Sequence, residues 1–357
     1  MQFHSNILIC YQARGTAGFL DLQRFVKLIY MFSEKRLNIY VLSRESISKE
    51  ILNLDFSNPN IKIYNISFFQ AIKVRTKASI FIMPNLLDSL IMFARKIFFR
   101  DFNSQFAVIH NPPLQLSSRN ILINILGISM QFIFYLFSDI NIYLSDYVSS
   151  KWINFKKSLV QLLPDLNPCI SLKNKTINSQ KVETKFVKLL IIGRWLPYKN
   201  LYLLIGALNK IKNSELEQNI LITIHGSSYP SHEISSLIKS TNNKNIKIEY
   251  NDIYIPNSEV DQLLLSCDYC LFLYKRASQS GFLQRCKELG VPVICTKVGG
   301  LEEYLINGAI GHAVHPDYES IKKIITNISH SYPYQYNGNF IQSKNFIDYL
   351  ISNHLKE

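Results

Sequence analysis

The sequence lacks most of the features that would fix its class at once. Its first residues, MQFHSNILICYQARG, show no basic region, long apolar core and small-residue cleavage site, so no secretory signal is evident and a cytoplasmic location is expected. The six cysteines are scattered over 357 residues, which excludes the short disulfide frame of secreted scaffolds and predicts reduced, mostly buried thiols. Cys267 and Cys270 form one CxxC, but no second pair stands at zinc spacing, and no metal is expected. No repeat of solenoid period occurs. The longest apolar run, Ile121 to Phe137, is barely long enough to span a bilayer and carries Asn124, Ser129 and Gln131, so a buried helix is expected there instead.

Charge is also scarce, at 18% of residues against 47% hydrophobic, with 22 Phe and 20 Tyr, which excludes disorder over most of the chain. The length suits two domains of ordinary size. Lys and Arg exceed Asp and Glu by 39 to 26, and the net +13 favours anionic partners such as phosphorylated ligands, nucleic acid or an anionic membrane. Because the lysines are dispersed and no recognised nucleic-acid module is present, nucleic acid is not an expected partner.

Short apolar runs alternate with helical patterns. In the first half the runs are Ile7 to Cys10, NIYVLS, Ile61 to Ile66, Phe106 to His110 and Ile140 to Ser145, and a helical pattern, LDLQRFVKLIYMFSEK, separates the first two. Strand, helix, strand in that order predicts parallel pairing by crossover. A polar stretch without periodicity, Ser171 to Lys185, interrupts the pattern, which then restarts with KLLIIG, ILITIHG, IKIEY, YCLFLY and VPVICT. The expected architecture is α/β, two doubly wound domains in tandem: 1–170, a linker at 171–186, and 187–340. A C-terminal helix at 341–357 could pack back on the N-terminal domain.

In doubly wound sheets, ligands bind beyond the carboxyl ends of strands, and three such loops in the second half carry chemistry. Gly193 to Asn200 places Arg194 and Lys199 in one strand-to-helix loop. A planar fork of donors and a point charge together suit a diphosphate, although a solvated loop with incidental bases would read the same. Ala277 to Phe282 opens a helix with Ser280-Gly281, where backbone amides and the helix dipole could meet an anion, or where Ser280 could be a plain N-cap. Thr296 to Glu303 contains Gly299-Gly300, which permits backbone approach to a ligand and is equally a common turn.

Taken in order and spacing, these loops resemble the retaining glycosyltransferases of the GT-B fold, family 4 or group 1. Gly193, Arg194 and Lys199 match the family's Gly-Arg-x-x-x-x-Lys. Gly290, Pro292, Val293, Ile294, Val298, Gly299 and Gly300 match its Gly-x-Pro-Val-Ile followed by Val-Gly-Gly. The resemblance covers about Lys188 to Tyr318 strongly and the first half weakly. It implies two Rossmann-like domains facing a cleft, and a sugar moved with retention from a nucleoside-diphosphate donor to a glycan or lipid-linked acceptor in cell-surface polysaccharide assembly. It further implies diphosphate stabilisation by Arg194 and Lys199 without a metal or other cofactor, and donor contacts from Gly193, Gln279, Ser280, Gly281, Phe282 and Gly299.

One departure matters. Most members carry two glutamates eight positions apart around this helix start, where the present sequence has Ala277 and Arg285, although some members carry a Gln-Ser-Gly like that of Gln279 to Gly281. Glu288 could not replace them without a shift of helix register. A non-catalytic nucleotide-sugar-binding or partner subunit of the same fold is therefore the alternative reading.

In the first half, His110 ends a strand before Asn111-Pro112-Pro113 and resembles a family histidine facing donor and acceptor, while Gly15 lies in a loop resembling one that approaches the donor phosphate. That loop is not a Walker or dinucleotide fingerprint. Finally, Arg95-Lys96-Ile97-Phe98-Phe99-Arg100, preceded by LLDSLIMFA, combines cations with apolar anchors. This predicts peripheral contact with an anionic membrane, or else a solvated helix face backed by core.

Overall fold

The structure, a computed structural model, describes residues 5–11, 22, 24–26, 29, 37–43, 61–82, 86–98, 104–109, 136–152, 158–160, 186–193, 196–226, 231–253 and 255–330. The chain divides into two compact units, Met1–Leu166 with Gln342–Glu357, and Asn167–Ile341.

The first unit contains strands β1 (Ser5–Tyr11), β2 (Leu37–Ser43), β3 (Ile61–Asn65), β4 (Ala78–Ile82), β5 (Ser104–Ile109), β6 (Ile140–Tyr143) and β7 (Ser158–Val160). They form one parallel sheet in the order β3-β2-β1-β4-β5-β6-β7. Alternate side chains of a strand face opposite sides. Ile7 and Ile9 accordingly join a core with Phe25, Ile39, Ile80 and Phe106, while Leu8 and Cys10 join another with Phe81, Ile91 and Met92. Burial on both faces explains why β4 and β6 read as unbroken apolar runs.

Three helices of this unit are described in full: α1 (Phe68–Lys73), α2 (Leu86–Phe98) and α3 (Asp146–Ser150). Ser67 begins α1 with a reciprocal capping box, its hydroxyl accepting from the Gln70 amide while the Gln70 side chain accepts from the Ser67 amide. At the other end, the guanidinium of Arg95 from α2 donates to the carbonyls of Ala71 (2.6 Å) and Val74 (2.7 Å) and to Thr76 Oγ1 (2.6 Å). A buried cation is tolerated there because it meets the negative end of the α1 dipole; burial lowers its pKa from 12.5 only to about 10, so it stays charged at neutral pH. The expectation that Arg95 is a solvent-facing cation on a membrane-seeking helix is thus corrected: it is fully buried, and its neighbour Lys96 pairs with Asp139.

The second unit contains β8 (Phe186–Ile192), β9 (Asn219–His225), β10 (Ile246–Asn251), β11 (Tyr269–Phe272), β12 (Val293–Thr296) and β13 (Gly311–Val314), again all parallel, in the order β10-β9-β8-β11-β12-β13. Its helices are α4 (Leu201–Leu208), α5 (Ser231–Lys239), α6 (Asn257–Leu265), α7 (Gly281–Leu289), α8 (Leu301–Ile306) and α9 (Tyr318–His330). Leu189 and Ile191 face a core built with α4 and α9, and Leu190 and Ile192 face one built with α6, α7 and α8. The strand order turns back at β8, so the loops after β8 and β11 lie on either side of the topological switch point, where open α/β sheets bind ligands.

Among the described residues no helix is long and apolar enough to cross a membrane. Of the run Ile121 to Phe137, only Leu136, exposed, and Phe137, packed on the core of the first unit, lie within them. The expected linker and the C-terminal helix lie outside the described residues.

Candidate functional site

The loop after β8 bends sharply at Gly193, which adopts φ +106°. A Cβ there would stand 2.6 Å from Lys199 Nζ and 2.9 Å from the Phe282 ring, so only glycine lets these two side chains converge on the strand end. A 3-10 turn over Pro197–Lys199 and a left-handed Asn200 (φ 59°) then lead into α4.

Lys199 is carried inward by this turn. Its ammonium donates to the carbonyl of Ile192 at 2.9 Å and lies 5.6 Å from the centre of the Tyr274 ring. Burial lowers its pKa from 10.5 to about 8, an effect partly opposed by the nearby Cys270 thiol. The cation is therefore held against the end of β8 with little water around it, where an arriving anion would interact strongly.

The neighbouring loops are tied to the first one. Lys275 N donates to Tyr198 O at 2.7 Å, joining the loops on both sides of the switch point, and Gly300 N donates to Ala277 O at 3.2 Å, adding the loop after β12. Ser280 caps α7, its hydroxyl accepting from Leu283 N at 3.3 Å. It also bonds Tyr274, whose hydroxyl pKa burial pushes well up. No acidic residue occupies the first turn of α7, so nothing on that turn offsets its partial positive charge.

Phe282 packs on the core beneath, Gly299 bends at φ +57°, and Gln279 precedes the cap. Gly193, Lys199, Gln279, Ser280, Gly281, Phe282 and Gly299 thus all belong to loops at the carboxyl ends of β8, β11 and β12. Arg194, His110 and Gly15 lie outside the described residues. Among the described residues no group of three or more His, Cys, Asp or Glu is placed to hold a metal ion.

Residues 173–343 match the family model described as glycosyl transferases group 1. The match, 171 of 357 residues, is centred on the second unit and its switch-point loops. No curated protein matches the sequence. The fold is that of HepE from Anabaena solved with UDP and glucose (15% identity, 91% of this chain and 89% of that one, TM-score 0.61). Sucrose-phosphate synthase from Thermosynechococcus elongatus shares it (13%, 92% and 90%, 0.58), as does the lipopolysaccharide outer core galactosyltransferase WaaB (11%, 91% and 89%, 0.57). Two Rossmann-like domains in one α/β chain make this the GT-B fold.

Two features of this group 1 domain were not read from the sequence. The first is the loop after β9. Gly193 N donates to His225 O at 3.0 Å, and a Cβ on Gly226 (φ +139°) would overlap the Gly193 carbonyl, so the β9 loop buttresses the β8 loop backbone to backbone. The available signal was His225-Gly226 directly after an apolar run, in the position of the other site loops. Burial lowers the pKa of His225, which is neutral at pH 7 with Nε2 3.3 Å from the Asn251 amide.

The second is the environment of Arg285, where a family glutamate usually stands. Its Nε donates to Asp261 Oδ1 at 2.7 Å and its Nη2 to the other Asp261 oxygen, while Nη1 pairs with Glu288 one turn along α7. Glu288 is buried, its side chain 1% exposed. The cluster joins α6 to α7 and commits Glu288 to Arg285, so Glu288 does not substitute for the missing carboxylate. Changing Arg285→Glu, a nominal return to the family residue, would face three carboxylates with no cation. The expected result is a loss of stability on the order of 3 kcal/mol with no gain in turnover, measured by denaturant unfolding and donor consumption.

Proposed function

We propose that the chain is a cytoplasmic glycosyltransferase that moves a sugar from a nucleoside-diphosphate donor to a glycan or lipid-linked acceptor, with retention at the anomeric carbon, as in family 4 and in cell-surface polysaccharide assembly. The observation that carries this reading is the convergence of Gly193, buried Lys199 and the Ser280-capped start of α7 at the switch point of a group 1 domain. In it, Lys199 and Arg194 neutralise the departing diphosphate, helped by the dipole of α7, and no metal is required for that step. Ser280, Gly281, Gln279 and Phe282 line the donor pocket, Gly193 and Gly299 admit its phosphates, and Gly15 and His110 approach from the first unit. Related folds solved with UDP or glucose support a donor of this class.

The sugar contacts that glutamates would make are replaced by uncharged groups, since Ala277 is buried and Arg285 is engaged by Asp261 and Glu288. The same fact favours a second reading, a partner subunit that binds a nucleotide sugar without turning it over. Incubation with a panel of UDP-, GDP- and ADP-sugars separates the two. Release of the nucleoside diphosphate is expected for a transferase, binding without release identifies the partner subunit, and neither binding nor release would overturn both readings.

A further inference from the structure

Helix α2 is built inside out. Its buried face carries Asp88, Ser89 and Arg95 beside Ile91 and Met92, whereas Leu87, Leu90, Phe93, Ile97 and Phe98 are exposed. These positions step by three or four residues and therefore lie along one stripe. Phe98 is 69% exposed and Ile97 60%. An ordinary surface helix shows the reverse polarity, and isolated exposed apolar residues need no explanation, but a continuous stripe marks a contact surface.

The polarity cannot be relieved by rolling the helix, because the Arg95 guanidinium is fastened to the Ala71 and Val74 carbonyls and to Thr76. Its stripe is extended at one side by Phe137, whose ring lies 5.2 Å from that of Phe93, and by exposed Leu136. On the other side α1 packs against α2, carrying Phe69, 73% exposed, and the exposed cations Lys73 and Arg75.

Charge decides the occupant. The described residues of the first unit hold eight Lys or Arg against three Asp and no Glu. Of the three, Asp88 is buried and Asp139 is paired with Lys96, which leaves Asp146. A second copy of the same face would set cations against cations, whereas anionic lipid headgroups complement them and the acyl boundary accepts the apolar stripe.

We infer that the outward stripe of α2, with Phe69, Lys73 and Arg75 of the α1 region, is a docking surface for an anionic membrane. The inference concerns the first unit alone and holds whether or not the second unit transfers a sugar.

The test is sedimentation of the full chain with vesicles of phosphatidylcholine, with and without phosphatidylglycerol. Binding is expected only with phosphatidylglycerol, weakening as salt rises. The variant L90Q/F93Q/I97Q should bind about tenfold or more weakly, and K73E/R75E also on the order of tenfold more weakly. Both should keep the melting temperature of the parent, since they alter exposed side chains.

Equal binding to both vesicle types, binding by both variants as tight as the parent's, or no binding at all would overturn the inference. So would a dimer in gel filtration that L90Q/F93Q/I97Q dissolves and vesicles do not displace.

Discussion

Replacing Lys199 by Met should cut donor turnover by about a hundredfold or more while leaving the empty protein no less stable. The two effects share one cause. A buried ammonium stabilises a departing diphosphate because little water competes with it, and for the same reason it costs the protein free energy when no anion is present. Met retains the apolar stem that packs by Tyr274 and removes the charge.

The pH dependence follows from the depressed pKa. Below about pH 8, folded and unfolded chains both hold the Lys199 proton and the cost of the buried charge is felt in full. Between about 8 and 10.5 the folded protein gives up the proton first, so this group makes stability rise with pH, by about 3 kcal/mol over the whole interval. Donor binding, which needs the ammonium, should run the opposite way and weaken as pH climbs through about 8, less steeply at saturating donor because a bound diphosphate holds the proton on. Calorimetric titration with a nucleoside diphosphate from pH 7 to 10, on parent and K199M, reads both slopes. A pH profile unchanged by the substitution would remove Lys199 from the donor site.

Gly226→Ala should be the most damaging methyl group that can be added near the site. Two penalties combine, the positive φ of Gly226 and the overlap of the new carbon with the Gly193 carbonyl, which as backbone cannot swing aside. A destabilisation of about 3 kcal/mol or more is expected, with loss of donor affinity in whatever fraction folds, because Gly193 must move and Lys199 is bonded to the carbonyl just before it. Chemical denaturation together with nucleotide titration measures both, and a variant with parental values in each would show that the β9 loop does not support the β8 loop.

The sheet strands were legible in proportion to their burial. KLLIIG, ILITIHG and YCLFLY are long apolar runs because both faces of a parallel sheet are covered, and each became a strand within a residue or two of its expected place. Three strands were missed. Ser158–Val160 and Gly311–Val314 are short and only half-buried, and Ala78–Ile82 runs on into apolar residues that hide its end.

Loop chemistry was legible as residue types and not as depth. Nothing in the letters distinguishes Lys199, turned inward by Pro197 and a left-handed Asn200, from a lysine in water. Arg95 was misplaced for a related reason: three or four residues per turn tell which side chains share a face, but not that the polar face would be the buried one. The Arg285 cluster was invisible because Asp261 is 24 positions away on another helix.

That cluster also bears on the history of the chain. With Asp261, Arg285 and Glu288 mutually dependent, an ancestor bearing the family glutamate at 285 could not have gained this arrangement, or later lost it, through one harmless step. Each intermediate leaves a carboxylate or a guanidinium stranded. The departure from the family pattern thus works as an epistatic ratchet: homologues that carry Arg at 285 are expected to carry acids at 261 and 288 together, and to form a lineage from which reversion is rare.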